Sequence, residues 1–362
     1  MKTQYQSNYK SIQHLESSLH KRIFGQDHVI KAVVDMLSIN MAGLGDDSKP
    51  IASFLFTGPT GVGKTELAKE LAVSLKMHFV RFDMSEYSSE HSAQTLLGGQ
   101  AGLVGYENGG LLTNAIIKEP SSVLLLDELE KADPKVLNTF LQVLDYGTLT
   151  DTKGKKADFT KTIIIMTSNL GSSEQRGIGF GNKMLYKGTA VLDFLTPEFR
   201  NRLDKIIEFN ALTKEMMAHI TDKFLGDLAS QLSKRNIHLD VSKEARQILN
   251  EIGFDPNMGA RSVLRAINSE FKKEISRILL SNNILSGTIK IDLQDANFTF
   301  EIVETEANKK TLFDISEKDY DFETAEEAQE YAKNHIGTVI TRSPKGIGFI
   351  KLSNTITQYH RT

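Results

Sequence analysis

Eight consecutive residues, Gly58-Pro59-Thr60-Gly61-Val62-Gly63-Lys64-Thr65, set three glycines, a lysine and a hydroxyl between the apolar run IASFLF (51–56) and the helix-like pattern TELAKELAVSL. Glycines at this spacing let the backbone wrap so that its N–H groups and the positive end of the following helix face phosphate oxygens, as in a Walker A loop. Lys64 is then placed to neutralise β- and γ-phosphate oxygens, and the Thr65 hydroxyl to ligate magnesium. A second run, VLLLDE (123–128), is an apolar strand that ends in two carboxylates. Neighbouring residues of a strand point to opposite faces, so only one of the pair can serve a metal while the other is left for water. Asp127 is assigned to the magnesium shell and Glu128 to polarising the attacking water.

These groups need a scaffold that brings loop and acid together. Five short apolar runs, IASFLF (51–56), HFVRFD (78–83), SVLLLD (122–127), TIIIMT (162–167) and KIIEF (205–209), alternate with helical patterns such as PKVLNTFLQVL. Strands apolar on both faces with helices between them predict an α/β fold, a mostly parallel sheet covered on both sides. Ahead of it, Ile12, Leu15, Leu19 and Ile23, then Val29, Val33 and Leu37, recur at helical spacing around a Phe-Gly-Gln break. From 212 to 282 helical periodicity replaces the strand signal, and TIKIDL and NFTFEIV close that region as two strands. The expected organisation is a large domain at 1–210, a small mainly helical domain at 211–304 and a short α+β tail at 305–362. In the tail, Thr324 and Glu327 form a capping box, and TVITRSPKGIGFIKL reads as a hairpin.

Composition narrows the function classes. The 362 residues carry a formal charge of −3 with 25% charged residues, against the basic excess of general nucleic-acid or membrane-surface binders. With no cysteine there is no disulfide scaffold, thiolate zinc site or cysteine nucleophile. The polar start MKTQYQSNYK lacks a signal peptide's apolar stretch, and no run approaches a membrane span. The expectation is a cytoplasmic protein with no nucleic-acid or membrane partner.

The strings GPTGVGKTELAKELA, RFDMSEYSSEHS, LLLDELEKADPKVLNTFLQVLDYGTLTD, KKADFTKTIIIMTSNLG, TPEFRNRLD and MGARSVLRAI resemble the second AAA+ module of ClpA-type unfoldases, ring ATPases of the Clp family that thread proteins into the ClpP peptidase. The similarity runs from about 15 to 300, without a counterpart of the family's usual amino-terminal domain or first ring. The resemblance implies a P-loop AAA+ αβα domain followed by a small helical domain, with ATP and Mg2+ as cofactors. It implies that Asn169 is sensor 1, orienting the lytic water. Arg202, with Arg200 as its near rival, would be the finger inserted into a neighbouring subunit's site, and Arg261 would be sensor 2. Ile23 and Phe24 would line the adenine, a role that competes with plain core packing.

The same resemblance implies a homo-hexameric ring, unfolded or tagged protein substrates and a ClpP-like peptidase; the alternative is a stand-alone remodelling chaperone or disaggregase. The substrate-gripping pore loop falls on Gly102-Leu103-Val104-Gly105, with leucine where the family carries an aromatic and Tyr106 nearby. Leucine lacks the flat face of an aromatic, which puts grip strength in question. Ile178-Gly179-Phe180, between Asn169 and Arg202, matches the family's peptidase-docking tripeptide, an apolar anchor whose weak binding multiplies around a ring. The same letters at Ile347-Gly348-Phe349 read as part of the tail hairpin.

Overall fold

The computed structural model describes residues 12, 14–98, 109–170, 193–281 and 286–303, with a few positions of the tail. The chain forms two compact units, Met1–Asp227 with Lys243–Glu274, and Leu228–Ser242 with Ile275–Thr362.

The first unit is built on the five strands the apolar runs predict: β1 (Ala52–Thr57), β2 (His78–Asp83), β3 (Ser122–Asp127), β6 (Ile163–Thr167) and β7 (Lys205–Glu208), with a small antiparallel hairpin, β4 (Thr148–Thr150) and β5 (Lys156–Asp158), inserted before β6. All five run parallel in the order β2-β3-β6-β1-β7. Every residue of β1, β3 and β6 is buried, as central strands covered on both faces require, whereas β2 lies at the sheet edge and is half-exposed. Helices Lys64–Leu75 and Pro134–Tyr146 follow the expected patterns; Asp133 caps the second through Lys135 N–H, and Gly147 ends it in a left-handed conformation. Leu15, Leu19 and Ile23, then Val29, Val33 and Leu37, are all buried. Residues 243–274, expected within the helical domain, belong to this first unit, where Ala260 N–H donates to Gly61 O at 3.0 Å.

This order decides where chemistry can occur. β6 lies between β1 and β3, so the loop after β1, the acid ending β3 and the residues after β6 meet at the carboxyl end of the sheet. Ligands of open parallel sheets bind in that crevice, beyond the carboxyl ends of the strands.

The second unit contains β8 (Ile237–Val241), β9 (Gly287–Gln294) and β10 (Asn297–Val303), with β8 parallel and β10 antiparallel to the central β9. β9 and β10 are the two strands expected there. β8 corrects the sequence expectation of no strand between 212 and 282: Ile237, Leu239 and Val241 alternate with His238 and Asp240, a period of two that the flanking helical patterns masked. In the tail, Thr324 and Glu327 exchange the reciprocal bonds of a capping box (3.3 and 3.4 Å), and β11 (Val339–Arg342) pairs antiparallel with β12 (Phe349–Leu352).

Candidate functional site

The loop after β1 turns on glycines in conformations other residues resist: Gly58, Gly61 and Gly63 have φ of 124°, 76° and 107°. At Gly61 a Cβ would lie 2.1 Å from Met258 O, and at Gly259 one would lie 2.7 Å from Gly61 O, so two backbone segments touch where neither tolerates a side chain. Gly63 precedes the helix Lys64–Leu75, and the space around a Cβ there is open.

Lys64 is buried, 7% exposed. Its Nζ donates to Gly58 O (2.6 Å), Pro59 O (2.8 Å) and Asn169 Oδ1 (2.9 Å). Desolvation pushes the ammonium down from its ordinary 10.5 to about 8, opposed by the carboxylates of Glu130, Asp127 and Glu128 and reinforced by the Arg261 guanidinium. The Asp127 carboxylate closes β3 with Oδ1 accepting from Thr167 Oγ1 and Oδ2 accepting from Thr65 Oγ1 at 3.3 Å. Glu128 lies beyond the strand in a left-handed conformation (φ 57°, ψ 52°), pinned by its own N–H donating to Thr167 Oγ1 at 3.0 Å. The period-two argument therefore stops at Asp127: the strand's end, rather than its pleat, separates the two carboxylates. A left-handed glutamate costs about 1–3 kcal/mol and persists only where surroundings impose it, a pattern typical of functional positions.

These groups line one cavity of about 330 Å³. Lys64, Thr65, Asp127, Glu128 and Asn169 form its polar end, with Thr60, Gly61, Val62 and Gly63 along the loop; Ile23, Phe24, Leu212, Ile220, Phe224 and Leu264 form an apolar end. Gly58 and Pro59 contribute carbonyls to Lys64 and stand behind this wall. Phe24 stacks on His219 with ring centroids 5.9 Å apart, while Ile23 is 4% exposed, so the two face the cavity and belong to the packing beneath it. Arg261 enters the lining from the first turn of the helix Ala260–Ala266. A cation there opposes the helix dipole, which favours its use by an anion in the cavity.

Arg202 is not in the lining. Its Nε lies 2.7 Å from Asp145 Oδ2 and its Nη1 2.9 Å from Glu198 Oε1. The segment that carries it is fastened to β1 by Asp204, whose Oδ2 accepts from Ser53 N–H (2.7 Å) and Ser53 Oγ (2.8 Å). Arg200, its rival, is equally absent from the cavity wall. Gly102-Leu103-Val104-Gly105 and Ile178-Gly179-Phe180 lie outside the described residues.

Several site residues escape the sequence reading, among them Thr167, Leu212, Ile220, Phe224 and Leu264, and two charged ones. Glu130 accepts Asn169 N–H at 3.1 Å and is the strongest carboxylate influence on Lys64; its place two residues past Glu128 in DELEK was the available signal. Arg81 on β2 forms an ion pair with Asp127 (2.9 Å); it opens the string RFDMSEYSSEHS, but nothing in that string directs it to Asp127.

A nucleotide triphosphate with magnesium fits these residues. A desolvated ammonium whose three protons rest on neutral oxygens gains from a polyanion, the open space at Gly63 suits a phosphate, and the Thr65 hydroxyl beside the Asp127 carboxylate is a hard-oxygen pair of the kind magnesium takes. The apolar end offers a flat ring a dry surface.

Strand order, loop and acid together define a P-loop ATPase fold of the AAA+ type. Residues 49–206 match the family described as "AAA domain (Cdc48 subfamily)", and 212–291 match the "C-terminal, D2-small domain, of ClpB protein". The chain belongs to the AAA+ ATPases of the Clp family. It is 42% identical over 307 residues to a "ClpA homolog protein" of Fuscovulum blasticum, covering 83% of this chain and 39% of that one. It is 44% identical over 301 residues to the "Chaperone protein ClpB" of Aquifex aeolicus, 79% of this chain and 30% of the relative. It is 41% identical over 315 residues to the "ATP-dependent Clp protease ATP-binding subunit ClpC" of Staphylococcus epidermidis, 82% of this chain and 38% of the relative. The chain thus spans well under half the length of these curated relatives. Among the described residues no helix is long and apolar enough to cross a membrane.

Proposed function

We propose that the chain is the ATP-hydrolysing motor of a protein unfoldase or translocase, acting as a homo-hexameric ring that feeds unfolded or tagged proteins to a ClpP-like peptidase. One observation carries the reading: Lys64, Thr65, Asp127, Glu128 and Asn169 converge on one cavity, while Arg202 is held outside it by Asp145 and Glu198. A guanidinium placed outside its own cavity supports a role at the phosphate of another copy.

In this reading Gly58 to Thr65 form the cradle, with Lys64 on the phosphates and Thr65 and Asp127 holding the metal. Bound ATP supplies the phosphoanhydride to be cleaved, and magnesium the charge that offsets its phosphates. Glu128 accepts the proton of the attacking water at its carboxylate, and the Asn169 amide orients that water. Arg202 of a neighbouring copy spreads positive charge over the developing phosphate charge. Arg261 reports the state of the cavity to the helix Ala260–Ala266. The large domain at 1–210, small domain at 211–304 and tail at 305–362 are the proposed working parts, with Gly102-Leu103-Val104-Gly105 gripping substrate and Ile178-Gly179-Phe180 docking on the peptidase.

Mixing two inactive variants tests the ring. Arg202→Ala lowers turnover by about 10³-fold while ATP affinity stays within a few-fold. Glu128→Gln is inactive as well, and the mixture regains activity because some seams pair an intact Glu128 with an intact Arg202. Turnover that survives in Arg202→Ala alone, or a mixture that stays silent, refutes the shared site.

The "Chaperone protein ClpB" relative at 44% identity favours a second reading, a remodelling chaperone with no peptidase. Deleting 178–180 separates the two. Loss of ClpP-like peptidase association with retained ATPase supports docking; association that persists assigns the tripeptide elsewhere.

A further inference from the structure

Arg81 stands on the edge strand β2 with its Nη2 2.9 Å from Asp127 Oδ2 and 3.2 Å from Asp83 Oδ2. The two carboxylates end adjacent strands and are partners in the β2–β3 register. Asp127 Oδ1 is engaged by Thr167, and Oδ2 is the oxygen to which Thr65 Oγ1 donates. The guanidinium thus occupies the one carboxylate oxygen that a divalent ion shared with Thr65 requires. Among the described residues no group of three or more His, Asp or Glu could hold a metal by itself. The protein's own contribution to a divalent site in this cavity is therefore Thr65 and Asp127, and whatever binds Asp127 first decides how readily an ion enters.

We propose that Arg81 is a movable counter-ion for the divalent-metal site: it neutralises Asp127 while the site lacks a metal and transfers to Asp83 when a divalent cation binds with nucleotide. The inference rests on the nucleotide-site reading above. Its physical basis is an asymmetry of burial. The Asp127 side chain is 10% exposed, and a carboxylate in that setting is costly to leave without a cation. Asp83 is 32% and Arg81 44% exposed, so water shares the charge when the guanidinium sits there. Two cations at one carboxylate oxygen repel, and the long arginine has an exit because Asp83 already lies within its reach. Asp83 does not move to receive it: Oδ1 accepts from Ser85 N–H (3.1 Å) and Ser85 Oγ (2.7 Å), which fixes the carboxylate and leaves Oδ2 turned to Arg81. The metal thereby competes with a resident charge, and its arrival is felt at the end of β2.

The test is a Mn2+ titration of the full chain with ADP present, reading free Mn2+ by electron paramagnetic resonance, with ADP binding measured separately in EDTA by a fluorescent analogue. Arg81→Gln removes the competitor and tightens Mn2+ by about fivefold, the equivalent of an ion pair of about 1 kcal/mol. Asp83→Asn keeps the cap on Ser85 but removes the alternative anchor, and weakens Mn2+ binding. Arg81→Lys keeps the charge and stays near the unmodified affinity. Opposite signs in the Gln and Asn variants cannot come from general damage to the fold. Mn2+ affinity unchanged or weaker in Arg81→Gln, with ADP binding intact, overturns the inference alone; unchanged or tighter binding in Asp83→Asn overturns the transfer to Asp83. Failure of the unmodified protein to bind ADP overturns the nucleotide reading and this inference with it.

Discussion

Lys64 yields a quantitative test of the cradle. Burial lowers its proton affinity from 10.5 to about 8, and at about 1.4 kcal/mol per tenfold change the difference of 2.5 corresponds to about 3 kcal/mol. The folded value lies below the unfolded one, so between pH 8 and 10.5 the unfolded chain binds more protons. Stability of the nucleotide-free protein therefore rises with pH through that window, and the full penalty for a buried cation is present below pH 8. Phosphates beside the ammonium restore its affinity for the proton. With a value of about 8 the free protein carries a partly neutral Lys64 in mildly alkaline solution, so ADP binding takes up protons there, more at pH 9 than at pH 8, and affinity falls as pH rises further. Titration calorimetry of ADP without metal, in buffers of different ionisation enthalpy, reads the uptake directly at pH values where the nucleotide phosphates are already deprotonated. Lys64→Met removes the uptake. Equal apparent enthalpies in all buffers at pH 8 and 9 refute the reasoning, because Lys64 would then be protonated throughout and its burial without consequence.

Two further outcomes follow from backbone geometry. Glu128→Gly relieves a left-handed conformation and raises stability by about 1 kcal/mol in denaturant unfolding while abolishing hydrolysis; Glu128→Gln abolishes hydrolysis without that gain. Gly61→Ala sets a methyl 2.1 Å from Met258 O at a φ of 76°, and lowers stability by about 2 kcal/mol or more with loss of nucleotide binding; unchanged melting of that variant contradicts the close approach.

The parallel sheet was legible because its runs are apolar on both faces, which few other settings tolerate, and their ends fall within a residue of the observed strands. The cradle was legible because glycine, lysine and threonine at fixed offsets are local properties. Contacts made across the sheet were not. Arg81 reaches Asp127 because β2 neighbours β3, and Asn169 reaches Lys64 because β6 lies between β3 and β1; strand order is a global fact that no window of sequence contains. Glu128 reads as a strand residue because its neighbours are apolar, whereas its left-handed turn goes with a bond to Thr167 on β6. β8 is hidden for a different reason, since its alternating pattern is short and set between two strong helical ones.

Why should a lysine proposed to bind phosphate already have three oxygen partners within the chain? A buried ammonium cannot be left bare, so in the ligand-free protein its three protons are shared among Gly58 O, Pro59 O and Asn169 Oδ1. An anion that attracts Lys64 competes with Asn169 Oδ1 for the ammonium, so on the proposed nucleotide reading phosphate binding draws on the bond between the two. Glu130 meanwhile holds the Asn169 backbone through its N–H at 3.1 Å, so on that reading the exchange is confined to the side chain. The residue proposed to orient water is thus bonded to the lysine proposed to bind phosphate. A coupling of that kind asks for one lysine exchanging partners at the point where three strand ends meet.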